Sequence, residues 1–128
     1  MYKVEVTNGG GSVFTVRSKD YEFAVDTKGN GVTPPDALLA SLGSCMGVYI
    51  RKYAEGAKLD IGNFKIIVEA DFDAAKPYRF KNIKADIRFE NAMLDDRRKA
   101  ALLEFIKNCP VHNTLKAAPD IEVEIGKP

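Results

Sequence analysis

The chain has 128 residues with 19 basic and 18 acidic side chains, a net charge of +1, and 45% hydrophobic residues. This suits one globular domain spanning residues 1–128. It excludes the strongly basic balance expected of a nucleic-acid binder, and clusters such as Asp95-Asp96-Arg97-Arg98-Lys99 mix both signs as a solvated helix face does.

The chain begins with alternation. Tyr2, Val4 and Val6 are separated by polar residues, and Asn8-Gly9-Gly10-Gly11 then predicts a turn. Val13–Arg17 and Tyr21–Asp26 follow, with Ser18-Lys19-Asp20 between them, so a three-stranded meander is expected. A loop, Lys28-Gly29-Asn30-Gly31, closes it. Thr33 is placed to cap a helix, with Pro34 at its first position and Asp36 three residues after the cap. The helix should run to about Ala54, with Gly56 near its C-terminal cap. Leu38, Leu39, Leu42, Cys45, Met46, Tyr49, Ile50 and Tyr53 cover most of its circumference, which predicts a buried helix. Gly43 and Gly47 would admit a close neighbour, from the same chain or from a partner subunit. Two alternating strands, Phe64–Phe72 and Ile83–Phe89, should form a sheet with one wet face, joined through a turn at Ala74-Ala75-Lys76-Pro77. A second helix is expected from Asp95 to Asn108, stopped by Pro110, with Leu102, Phe105, Ile106 and Cys109 on its core stripe. A turn over His112–Lys116 and a last strand over Ile121–Ile125 complete the chain. The fold class is therefore α+β.

The N-terminus has no apolar signal-peptide core, and the apolar stretch from Ala37 to Ile50 falls short of the roughly 20 residues needed to span a bilayer. A cytoplasmic protein without a membrane partner is expected. Two cysteines are too few for a secreted disulfide scaffold, so in a reducing compartment they are reactive, ligating or buried. Cys45 lies mid-helix, away from any helix N-terminus; a reactive thiolate there needs a cation from elsewhere, with Arg17 the first candidate and Arg51 and Lys52 weaker ones. Cys109, at a helix boundary, should be the easier sulfur to reach. The alternative for Cys45 is an inert apolar residue. Zinc is disfavoured, because Cys109, His112 and Cys45 make three ligands where a closed structural site takes four. Gly43-Ser44-Cys45-Met46-Gly47 is not a nucleophile elbow, and Gly9-Gly10-Gly11 lacks the helix and lysine of a phosphate loop.

Three stretches together resemble the OsmC/Ohr family: Thr33-Pro34-Pro35-Asp36-Ala37-Leu38-Leu39-Ala40-Ser41-Leu42-Gly43-Ser44-Cys45; Pro77-Tyr78-Arg79-Phe80-Lys81-Asn82-Ile83; and Asn108-Cys109-Pro110-Val111-His112-Asn113-Thr114-Leu115. The resemblance implies an OsmC-like fold, with an N-terminal β-meander, two main helices and C-terminal strands, assembled as an intertwined homodimer. It also implies a thiol peroxidase for organic hydroperoxides, without a cofactor. Cys45 would match the attacking cysteine and Cys109 the resolving one, with an external thiol as reductant. Family peroxidases add an arginine and an acid; Asp36 stands closest to the acid position, and is equally placed to be a capping residue. In the organic-hydroperoxide branch the arginine follows a Gly-Gly turn, where this chain has Ser12, leaving Arg17 to substitute from the sheet. The alternative function is a non-enzymatic small-ligand-binding or stress-response dimer whose cysteines merely line a pocket.

Overall fold

A computed structural model describes residues 1–127. The chain divides into two compact units, Met1–Ala40 and Ser41–Pro128. The first holds strands β1 (Glu5–Thr7), β2 (Val13–Arg17) and β3 (Glu22–Asp26) and the opening turns of helix α1 (Pro34–Gly56). The second holds the rest of α1, strands β4 (Phe64–Asp73) and β5 (Arg79–Phe89), and helices α2 (Asp96–Ile106) and α3 (Pro110–Ala117).

The meander forms as expected, antiparallel in the order β1-β2-β3. Its first strand starts later than the alternation suggests. Glu5 faces Arg17, so Val4 would have to face Ser18, whose N–H is already turned back to the Tyr21 carbonyl at 2.9 Å. The Asn8 side chain ties the first turn, donating to the Val13 carbonyl at 2.9 Å and accepting from the Gly10 N–H at 3.1 Å. The register puts Val6, Phe14, Val16, Phe23 and Val25 on one face of the sheet. Arg17 and Glu22 pair across the opposite, polar face.

After β3 the chain doubles back on itself through a parallel bridge between Val25 and Val32. Gly31 is required there, because a β-carbon would lie 2.8 Å from the Ala24 carbonyl oxygen. Thr33 then caps α1 as its sequence predicts, its hydroxyl accepting from the Asp36 N–H at 3.2 Å. The other end of α1 differs from expectation. Gly56 is the last helical residue, and the left-handed cap is Lys58, at φ 55°. Lys58 N–H bonds to the Glu55 carbonyl and Leu59 N–H to the Ala54 carbonyl, the paired bonds of a Schellman motif.

In the second unit the core consists of Leu42, Met46, Ile50 and Ala54 of α1, Leu102 and Ile106 of α2, Ile61 from the segment between α1 and β4, and Cys109. The β4–β5 hairpin covers it with Phe64, Ile66, Val68, Ala85, Ile87 and Phe89, the stripe its alternation predicts. Gly43 and Gly47 form the track on which β4 lies: a β-carbon on Gly43 would sit 3.0 Å from Val68 Cγ2, and one on Gly47 3.7 Å from Ile66 Cδ1. The close neighbour the two glycines admit is thus a strand of the same chain. The helix is not buried all round, however. Leu38 and Val48 remain exposed in the single chain.

Two expectations near the C-terminus are corrected. The His112–Lys116 segment is helical, not a turn, and lies within α3. The expected strand Ile121–Ile125 is not formed among the described residues; its alternating Ile121, Val123 and Ile125 are all exposed. Alternation makes a strand only where an edge offers hydrogen-bond partners, and nothing in the described chain pairs with this segment.

Candidate functional site: a pair of thiols

The two cysteines are distant in sequence but meet in the second unit. Aromatic contacts set the approach of α1 to α2. Phe105 lies 6.0 Å from the Tyr49 ring and 5.7 Å from the Tyr53 ring, centroid to centroid. Tyr49 is one helical turn beyond Cys45, and Phe105 is four residues before Cys109. Fastening these positions brings the cysteines together, with Cys45 packed against the core cluster that contains Cys109. Both are free thiols.

Their accessibility is the reverse of the expectation from sequence. Cys109, at a helix boundary, has no exposed surface, whereas mid-helix Cys45 is only half-buried. The reason is local. Cys109 does not end α2 but caps α3, its backbone extended at φ −60° and ψ 117°. Its Sγ accepts the His112 N–H at 3.4 Å, as a serine cap would. Pro110 takes the first helical position, where its missing N–H costs nothing. That proline is the signal from which α3 could have been read; it fits a helix start as well as a stop. The cap turns the Cys109 sulfur inward.

Burial pushes the Cys109 thiol up from its ordinary value, and the adjacent Cys45 side chain raises it further, through a hydrogen bond and through charge. Backbone N–H groups of His112 and Val111 pull the other way and do not overcome this. Cys109 therefore holds its proton at neutral pH, beside a second cysteine that is only half-buried.

The remaining sequence candidates are held by other partners. Arg17, at the end of β2, is exposed and donates through Nε and Nη2 to Glu22 Oε2 at 2.8 and 2.6 Å. Arg51 Nη2 donates to the Gly62 carbonyl at 2.8 Å, with the guanidinium 4.7 Å above the Phe64 ring. Lys52 Nζ lies 4.8 Å from the Tyr49 ring centroid. Asp36 is exposed in the first turn of α1, where its backbone completes the Thr33 cap. Among the described residues there is no group of three or more His, Cys, Asp or Glu side chains that could hold a metal ion. No described helix is long and apolar enough to cross a membrane.

One charged residue had no place in the sequence reading. Asp26 is fully buried at the end of β3, accepting the Lys28 N–H at 2.9 Å and the Asn30 N–H at 3.0 Å. It organises the loop that leads to Thr33. The Asp-x-Lys-Gly-Asn sequence was the available signal, since aspartate often binds the backbone two residues on.

The family described as OsmC-like protein matches residues 27–124. None of the curated proteins matches the sequence. Among solved structures, a Psychrobacter arcticus protein titled as an osmotic stress induced and detoxification response protein is 27% identical, with a TM-score of 0.78 over 89% of this chain and 88% of that one. An OsmC like protein from Mycoplasma pneumoniae is 21% identical, with a TM-score of 0.74 over 91% and 87%. The organic hydroperoxide resistance protein OhrB of Bacillus subtilis is 17% identical, with a TM-score of 0.62 over 88% and 90%. The last two are similar in fold. A family match that runs from the loop before Thr33, through both cysteines, to the C-terminal segment identifies the chain as a member of the OsmC-like protein family.

Proposed function

We propose that this protein is a thiol-dependent peroxidase that reduces organic hydroperoxides through Cys45 and Cys109. The observation that carries the proposal is the asymmetry of the pair: a half-buried cysteine packed beside a fully buried one whose thiol is held above its ordinary value by burial. The Cys45 thiolate attacks the terminal oxygen of the hydroperoxide. The O–O bond breaks, the alkoxide leaves and takes a proton from water to become an alcohol, and Cys45 becomes a sulfenic acid. Cys109 then attacks that sulfur, its proton leaves with the hydroxyl as water, and a disulfide forms. An external dithiol reduces the disulfide and restores both thiols. Burial suits Cys109 to the second step, since its thiol meets the oxidised neighbour before it meets solvent peroxide.

The working form in this proposal is a cytoplasmic homodimer. Val6, Phe14 and Phe23 on one face of the N-terminal sheet, Leu38 and Val48 on α1, and Ile121, Val123 and Ile125 near the C-terminus all expose apolar surface that a second copy would cover. Arg17 and Asp36 are the proposed cation and acid of the assembled site; unchanged peroxide consumption in Arg17→Ala would remove Arg17 from it.

Hydroperoxide consumption with a dithiol reductant tests the chemistry. Cys45→Ser should lose at least about a hundredfold in rate, a nucleophile's share of catalysis. Cys109→Ser should accumulate a sulfenic acid on Cys45 that a carbon nucleophile traps. Equal rates for wild type and Cys45→Ser would end the proposal.

A further inference from the structure

Peroxide reduction would use the two sulfurs one after the other, but their placement also offers them together. Cys45 and Cys109 are both free thiols, and their side chains share a hydrogen bond. Each is held on a separate helix, Cys45 in the middle of α1 and Cys109 as the cap of α3. Cys109 is fully buried in the cluster that includes Leu42, Met46, Leu102 and Ile106, and Cys45 packs against that cluster. Among the described residues no third His, Cys, Asp or Glu side chain joins them in a metal-holding group. The His112 ring is turned to Asn113 Oδ1, 3.3 Å from its Nδ1.

Two sulfurs without a further donor are selective. They cannot complete the four-coordinate shell of zinc. Calcium and magnesium require oxygen ligands, and cupric ion favours a planar set of nitrogen and oxygen. Thiolates select the soft cuprous ion, which is satisfied by two of them and needs no water. We infer that Cys45 and Cys109 together bind one cuprous ion between their sulfurs. The ion displaces both thiol protons to solvent and leaves a bis-thiolate complex with a net charge of about −1. Copper stays in its +1 state, and neither sulfur is oxidised. The His112 backbone N–H, 3.4 Å from the Cys109 Sγ, donates toward that negative charge. Half-buried Cys45 is the way in, taking the ion from a soluble thiol complex before Cys109 closes the pair. Binding needs no peroxide chemistry and so stands apart from the peroxidase proposal.

The test is anaerobic titration of the reduced protein with cuprous ion held by bicinchoninate, whose colour reports the copper withdrawn. One ion should be withdrawn per chain, with a thiolate-to-copper band growing in the ultraviolet, and the disulfide form should take none. X-ray absorption should find two sulfur neighbours and no nitrogen. Loss of an outer-shell partner alone costs roughly ten- to a hundredfold in metal affinity, so Cys45→Ser and Cys109→Ser should each lose at least about a hundredfold. His112→Ala removes no ligand and should bind as the wild type does. Failure to withdraw copper would overturn the inference, as would full affinity in either serine variant. So would one ion per two chains, which would mark a bridge between copies, or a nitrogen neighbour lost in His112→Ala. A protein that binds copper in this way yet consumes no hydroperoxide would end the peroxidase proposal alone.

Discussion

Two buried ionisable residues make opposite demands on pH. The backbone N–H of Lys28 is the largest influence holding the Asp26 carboxyl below its ordinary value, with Ser12 and Asn30 adding to it, against desolvation. A carboxyl whose folded value is depressed stabilises the protein above its unfolded value of about 3.9, and that contribution is lost as pH falls through the folded value. Asp26→Asn should therefore flatten the acid limb of the urea-stability profile, where the wild type declines. An unchanged acid limb would show that the loop does not need the charge. Cys109 works in the other direction. Its raised folded value favours the thiol, so its contribution is complete below the ordinary thiol value of roughly 8.5 and is lost as pH rises through the folded one. Wild-type stability should fall on the alkaline side more steeply than that of Cys109→Ser, whatever the absolute stabilities. Equal alkaline slopes would contradict the burial argument. Both effects belong to single residues whose chemistry is ordinary in sequence and altered only by their surroundings.

At the level of elements, the packing of α1 on β4 is the feature that orders the second unit. With Val68 Cγ2 only 3.0 Å from the site of a β-carbon on Gly43, a larger side chain fits only if the Val68 side chain or its strand gives way. Gly43→Val should cost about 1–3 kcal/mol by overpacking, seen as a lower urea midpoint with an unchanged slope. Because Cys45 is two residues away on the same helix, disulfide formation under mild oxidant should slow as well. Much of this level was legible beforehand. The periodicities of α1, β4, β5 and α2, the Thr33 cap and the meander turns each rest on residues adjacent in sequence. The errors also have local causes. Pro110 is compatible with a helix stop and a helix start, and the choice depends on whether Cys109 can turn its sulfur inward to meet the His112 N–H. The cap of α1 at Lys58 escaped notice because a left-handed lysine is unusual, and Gly56 stood close by.

For the whole molecule, the apolar face of the N-terminal sheet and the exposed C-terminal alternation argue for a second copy. A single chain in water should not carry Phe14, Phe23, Ile121, Val123 and Ile125 uncovered together. Sedimentation equilibrium should give twice the chain mass, and Phe23→Glu, on the exposed apolar face, should shift it toward the single chain. A wild type that sediments as a monomer at micromolar concentration would contradict this. The sequence alone determined the α+β class, the order of its principal elements, the OsmC-like resemblance and the two cysteines as the residues to follow. Those conclusions depend on periodicity, capping and motif, all of which are short-range. Only the tertiary structure decided that the two sulfurs lie together, that Cys109 is the buried one, that Arg17 is held by Glu22, and that β4 occupies the glycine track of α1. The first and last of these depend on contacts between segments far apart in the chain, and the other two on a helix cap and a cross-strand pair that exist only once the backbone has folded; burial and hydrogen bonding in three dimensions leave no periodic trace along the sequence.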